Sequence, residues 1–265
     1  MTSSLRAQCV LYHDVVDGDG DASGFPGTAA ARYKLPVAEF RSHLDAIAKV
    51  VIRPATTLRT TPANATAPPF IFSIDDGGSS ALHIADELER LNWRGTFFVT
   101  SARVGTPAFL KSAEVRALHD RGHAIGSHSA THPYRIGDLP DADLAREWSD
   151  SMKALNDMVG SSLDSASVPG GYYRPRVASA AASSGIRHLF TSEPTAQLHM
   201  ESGIAIYGRY CVYRGMSPAT AAGLSAGNLM QTAHQKVVWK AKGLAKRVAA
   251  PAWEAARSIM FRKQA

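Results

Sequence analysis

Two short segments of this 265-residue chain concentrate groups able to hold a metal ion. The first, Phe70-Ile71-Phe72-Ser73-Ile74-Asp75-Asp76-Gly77-Gly78, is an apolar run ending in adjacent carboxylates and two glycines. The second, Ala124-Ile125-Gly126-Ser127-His128-Ser129-Ala130-Thr131-His132, ends in two histidines separated by three residues. Alone, Asp-Asp-Gly-Gly after a strand reads as a turn. A single His-x-x-x-His, which joins two imidazoles at one ion where the segment turns helically, is common by chance. Together they say more, since both sets of ligand-type residues fall at the carboxyl ends of predicted strands, and chance would have to act twice.

Such ligands work only if the fold carries both strand ends to one place. Short apolar, β-branched or aromatic runs predict strands at Cys9–Tyr12, Phe70–Ile74, Thr96–Thr100, Ala124–Ser127, Ala166–Val168, His188–Thr191 and Ile204–Val212. Helical spacing occupies Val37–Val50, Ser80–Leu91, Ala113–Arg121, Asp141–Val159, Arg176–Ser184 and Pro218–Gln231. Pro140-Asp141 and Ser217-Pro218 supply entry signals, and Gly122, Gly160 and Gly185 stand where helices should stop. Strands separated by helices predict the α/β class with a parallel sheet, most simply a barrel, whose chemistry gathers at the carboxyl ends of its strands. Both ligand segments fall there. The Gly-rich connection from Asp17 to Pro36 is long enough to carry a function. Its Asp17, Asp19 and Asp21 lack the other ligands of a calcium loop and read as solvated acids. Arg53 to Pro69 reads as a surface connection.

A net charge of +6 would ordinarily point to nucleic acid or an acidic surface. The charge is uneven, however. Residues 234–265 hold eight cations and one anion, Glu254, which leaves 21 basic and 22 acidic groups in the other 233 residues. The sequence thus describes a near-neutral domain, 1–233, followed by a basic tail, 234–265. No apolar run approaches the about 20 residues needed to cross a bilayer, and no leader is visible at Met1. The expectation is a cytoplasmic protein, peripheral at the inner face of the membrane if the tail binds there. Cys9 and Cys211, each in an apolar run, read as reduced core thiols.

Ser73-Ile74-Asp75-Asp76-Gly77, followed about fifty residues on by His128-Ser129-Ala130-Thr131-His132-Pro133, resembles the first two motifs of the NodB-type polysaccharide deacetylases, carbohydrate esterase family 4. Gly95-Thr96-Phe97-Phe98-Val99 and Gly122-His123-Ala124-Ile125-Gly126-Ser127 extend the resemblance, which runs from about Phe70 to Ile186. It implies a distorted (β/α)7 barrel, with Asp76, His128 and His132 as metal ligands and Asp75 as general base. Zinc is the expected ion, with cobalt, nickel or iron as substitutes. Such an ion lowers the pKa of its water from about 15.7 toward about 7 and polarises the carbonyl under attack, and an adjacent unligated carboxylate can take the water's proton.

The sequence departs from the family pattern twice. The third motif usually carries Arg two residues before a Pro, but here the stretch is Ser167-Val168-Pro169-Gly170-Gly171-Tyr172-Tyr173. Ser167 leaves Asp75 without that cation, and Arg209 near the last strand is the candidate substitute. Pro169 and Gly171 fit a tight turn that aims a backbone N–H at an oxyanion, with the Tyr172 amide as candidate donor. Tyr172 and Tyr173 line a sugar site or simply pack. The family's late Leu-x-His, whose His protonates the leaving amine, is also missing after Gly208. The first strand instead reads Leu11-Tyr12-His13, as in the branch acting on biofilm poly-N-acetylglucosamine. Because first and last strands of a closed barrel are neighbours, His13 becomes the candidate general acid.

In the tail, Val237, Ala241, Leu244 and Val248 form an apolar stripe with Lys236, Lys240 and Arg247 on another face. Trp253, Ile259, Met260 and Phe261 follow among Arg257, Arg262 and Lys263. A helix packed on the barrel and an interfacial helix on an anionic membrane through residues 235–265 both fit; nucleic acid is not expected. The resemblance implies a metal-dependent deacetylase of an amino-sugar polysaccharide or its lipid-linked precursor. The alternatives are a deformylase or other deacylase of a lipid-linked amino sugar, and a catalytically weak glycan-binding barrel.

Overall fold

The computed structural model describes residues 5–58 and 68–241. Nine strands form one sheet: β1 (Gln8–Tyr12), β2 (Phe70–Ile74), β3 (Gly95–Val99), β4 (Ala124–Ser127), β5 (Ser165–Ser167), β6 (His188–Phe190), β7 (His199–Glu201), β8 (Ile204–Tyr207) and β9 (Tyr210–Cys211). Their spatial order is β7-β8-β6-β5-β4-β3-β2-β1-β9, parallel throughout except for β7 against β8. Helices α1 (Thr28–Ala31), α2 (Val37–Val50), α3 (Ala81–Glu89), α4 (Ser112–Asp120), α5 (Asp141–Val159), α6 (Pro175–Ser183) and α7 (Pro218–Ser225) connect them.

Strand side chains alternate between two cores, as the period of two requires. Val10, Tyr12, Phe72, Ile74 and Phe97 pack outward under the helices with Leu44, Leu88 and Trp148. Cys9, Ile71, Phe98, Phe190 and Tyr207 fill the inside of the curled sheet. Burial on both faces is why Phe70–Ile74 reads as a continuous apolar run. Both cysteines are free and buried, as expected. Gly160 caps α5 in the left-handed conformation, and Gly122 and Gly185 also have positive φ just past α4 and α6.

The predicted strand Ile204–Val212 is two strands. β8 pairs with β6, the chain crosses the barrel mouth through Gly208-Arg209, and β9 then pairs with β1 through Val10↔Tyr210 and Leu11↔Cys211. One run thus touches both ends of the sheet and curls it into a barrel. Gly208 permits the crossing: a Cβ there would lie 2.5 Å from Glu193 O and 2.6 Å from Thr195 O. The outer edge of β9 is covered by a side chain, since the Gln235 amide donates to Cys211 O at 2.8 Å and accepts from Cys211 N at 3.1 Å.

Two other elements differ from the sequence reading. β7 was not predicted; it is a three-residue edge strand, largely exposed, with no apolar face to betray it. The predicted helix Pro218–Gln231 stops at Ser225, turns through Ala226-Gly227-Asn228 and resumes as a helix over 229–241. The expected boundary at 234 falls inside that second helix. The rest of the tail, and the middle of the Arg53–Pro69 connection, lie outside the described residues.

Candidate metal centre and active site

The parallel strands place both ligand segments on one rim. Asp76 follows β2 in a left-handed conformation (φ 74°), with its carbonyl accepting from Thr100 N. The His128–His132 segment does not turn helically. Ser129 and His132 adopt φ of 63° and 62°, and Ser129 Oγ accepts from His132 N at 3.0 Å. Glu147 of α5 holds the loop from outside, accepting from Ala130 N through its backbone and from Thr131 N and Oγ1 through its carboxylate. Three of the six non-glycine residues with positive φ among those described are therefore in the ligand segments. Each such residue costs about 1–3 kcal/mol, a strain that typically marks a functional site.

The result is a convergent trio. His128 Nε2 and His132 Nε2 lie 3.4 and 3.5 Å from Asp76 Oδ1, and the three ligand atoms fall within 4.8 Å of one another. An ion bound tetrahedrally at about 2.1 Å has ligand-to-ligand edges of about 3.4 Å, so the spacing fits one divalent ion. His128 Nδ1 lies 3.1 Å from Ser167 O and 2.5 Å from Ser167 Oγ. These acceptors keep the ring proton on Nδ1 and leave the Nε2 lone pair facing Asp76. The ring of His132 packs on Phe25, 4.6 Å between centroids.

Asp75 is buried beside this trio, with Oδ2 3.7 Å from His128 Nε2. Arg209, only 1% exposed, grips it with two charge-assisted bonds, Nη1 to Oδ1 at 2.6 Å and Nη2 to Oδ2 at 2.9 Å. The same guanidinium donates from Nε to Thr191 O and from Nη1 to Ser73 Oγ, between the faces of Phe98 and Phe190. Ser167 Oγ lies 3.3 Å from Asp75 Oδ1. The cation missing at 167 is therefore supplied from across the barrel by the residue after Gly208.

The charges settle one another. Burial opposes ionisation of Asp75, but Arg209 and then His128 outweigh it and hold the carboxyl below its ordinary range. Burial likewise opposes ionisation of Asp76, which contact with His128 and the charges of His13, His128 and His132 hold well below it. Burial lowers His132 to about 4, with the charge of His128 acting in the same direction. For His128, burial also lowers, but Asp75 and Asp76 prevail and raise it. Both acids and His132 thus enter neutral solution in the form a cation needs.

His13 stands at the end of β1, half-buried, within electrostatic reach of Asp75, Asp76 and His132. Its ring packs on Tyr33 at 4.6 Å, and its buried Nδ1 has no hydrogen-bond partner among the described residues. On the opposite wall, Pro169–Gly171 forms a 3-10 turn leading into Tyr172. Gly170 has φ 65° and approaches Tyr134 O so closely that a Cβ would lie 2.6 Å away. Tyr172 packs edge-on against Tyr134 with the two hydroxyls 3.0 Å apart. Tyr173 turns from this pair and donates to Glu201. Sequence reasoning missed Tyr134, Phe25 and Tyr33; for Tyr134 the signal was an aromatic residue just after His132-Pro133. The acids Asp17, Asp19 and Asp21 are exposed, and their carboxylates accept from Val37 N, Asp21 N and Gly27 N.

Curled sheet, convergent ligands and clamped carboxylate together define a β/α barrel with a candidate divalent-metal centre on its carboxyl rim. Residues 63–189 match the model of the polysaccharide deacetylase family. Over this segment, a little under half of the chain, the sequence is similar to the polysaccharide deacetylases, a family of hydrolases of carbon–nitrogen bonds other than peptide bonds. No curated protein matches the sequence. Among solved structures, a polysaccharide deacetylase from Bacillus cereus superposes with a TM-score of 0.69 at 16% identity, over 83% of this chain and 69% of that one. Streptococcus pyogenes deacetylase PplD, in complex with acetate, gives 0.68 at 16%, over 87% and 99%. IcaB from Ammonifex degensii gives 0.65 at 19%, over 84% and 100%. At these identities the likeness is one of fold.

Proposed function

We propose that this protein is a metal-dependent carbohydrate deacetylase that hydrolyses the N-acetyl amide of an amino-sugar polysaccharide or of its lipid-linked precursor. The observation that carries the reading is the joining, on one rim of the barrel, of the Asp76, His128 and His132 trio with the buried, arginine-clamped Asp75. Asp76, His128 and His132 would hold the ion, for which zinc suits the donor set best. When bound, the ion acts as a Lewis acid that acidifies a water and polarises the amide carbonyl.

The chain's own residues do the rest. Asp75 Oδ2, the oxygen 3.7 Å from His128 Nε2, would accept the water's proton, and Arg209 keeps that carboxylate ionised and fixed. The Tyr172 N–H, carried by the turn through Pro169 and Gly171, donates to the carbonyl oxygen as charge develops there. His13 gives a proton to the departing nitrogen. The C–N bond breaks, a C–O bond forms, and acetate and a free amino sugar leave. Tyr172 and Tyr173 border the sugar side. The basic residues of 235–265 support a cytoplasmic protein held at an anionic membrane surface.

The test is acetate release from N-acetylglucosamine oligomers by chelator-stripped protein, with and without added zinc. Zinc-restored release is expected. Tight zinc binding with no release from any acetylated glycan would favour a glycan-binding barrel, and release of formate from N-formyl analogues alone would favour a deformylase.

A further inference from the structure

A cavity of about 520 Å³ opens between the loop after β6 and the helix over 229–241, within the about 300–1,000 Å³ typical of ligand pockets. Its apolar walls include Tyr213, Met216, Leu224, Val238 and Trp239, and among the described residues no carboxylate lines it. Its one arginine is Arg32, set 4.3 Å over the Tyr213 ring and making no ion pair among the described residues. A chain of ring contacts links the cavity wall to the site just described: Tyr213 packs on Tyr33 at 5.6 Å, and Tyr33 packs on His13. Arg32 and Tyr33 both come from the long connection after β1, and the hydrolytic step gives Arg32 no role. At the far lip, Met230 and Val237 are 77% and 66% exposed on the helix that also carries Lys236 and Lys240.

We propose that this groove binds the hydrocarbon chain of a lipid-linked amino sugar, with Arg32 taking the phosphate of the linkage. The proposal rests on the deacetylase reading and narrows its substrate. An apolar groove that holds a cation and is linked through Tyr213 and Tyr33 to His13 matches a ligand whose charged linkage lies between sugar and hydrocarbon. Apolar residues exposed at the lip match a chain that continues outward into a lipid phase. A free polysaccharide would find neither an anion to offer Arg32 nor an apolar group to fill the groove.

The test compares the decyl and methyl phosphodiesters of N-acetylglucosamine, a neutral decyl N-acetylglucosaminide, and N-decanoylglucosamine. The expected result is a kcat/KM at least about ten-fold higher for the decyl than for the methyl phosphodiester. Val238→Trp, which fills the groove, should remove that advantage and spare the methyl compound. Arg32→Gln should slow both phosphodiesters but not the neutral glycoside. Independently of turnover, decyl phosphate should shift the fluorescence of wild-type protein in a saturable way, and Trp239→Phe should abolish the shift. Equal kcat/KM for the two phosphodiesters, a preference for the N-decanoyl amide, or no saturable shift would overturn the proposal. If no substrate is hydrolysed, the deacetylase reading fails, while the fluorescence titration still decides the groove.

Discussion

Asp76 and His132 stand on backbone forced into the left-handed region within two contiguous segments, whereas His13 and Arg209 stand at the ends of extended strands beside the seam where β8 crosses to β9. The ligand side is built locally: a strand, a strained turn and a few hydrogen bonds from Glu147 suffice to aim three atoms at one point. The seam side is built by topology. Its two residues are 196 positions apart and meet Asp75 only because one run of chain pairs with both ends of the sheet. Local strain makes a centre that tolerates change elsewhere in the barrel. Closure makes one that depends on every contact of the crossing.

Variants should separate the two. On the ligand side, Asp76→Ala or His128→Ala should remove bound metal and drop acetate release to background while the protein melts cooperatively, as metal analysis and calorimetry would show. On the seam side, Arg209→Met should strike stability and activity together. It strands a buried carboxylate, at a cost of about 3–5 kcal/mol. It also removes the charge that holds Asp75 down, so the acid limb of kcat/KM moves to higher pH. Because Ser167 already lies against Asp75, Ser167→Arg in that background should restore part of both. A lone Arg209→Met enzyme with an unchanged pH profile would show that Arg209 does not tune Asp75.

Gly208→Ala is a milder attack on the seam. A methyl group pressed against Glu193 O and Thr195 O should cost about 1–3 kcal/mol, lowering Tm while bound metal stays stoichiometric. The smallest effect concerns acid. Burial depresses His43 behind the seam, His123 behind the ligand strands and His188 on β6. A histidine whose folded pKa lies below its unfolded value of about 6.5 contributes stability above that value and loses it as pH falls. The urea midpoint of metal-loaded protein should therefore drop between about pH 7.5 and 5; a flat or rising midpoint would contradict the burial of neutral imidazoles.

The same contrast explains what could be read beforehand. Asp75, Asp76, His128 and His132 announce themselves because residue type and spacing sit within short segments at strand ends. Strands β2 and β4 and helices α2 and α5 have their predicted bounds because burial leaves a strong pattern. His13 followed only from the rule that first and last strands of a barrel adjoin, and Arg209 from the absence of a cation at 167. The bend at Gly208 was invisible, since a bent strand and a straight one share the same apolar run. Loop aromatics such as Phe25, Tyr33 and Tyr134 carry no periodicity; their placement depends on contacts between segments far apart in the chain.

The claim that the seam completes the site turns on His13. Metal content and acetate release should be measured together for His13→Asn. The expected protein keeps its ion at wild-type stoichiometry and melts normally, yet loses about 10²–10⁴-fold in turnover. A His13→Asn protein that holds its ion and releases acetate at the full wild-type rate would contradict it.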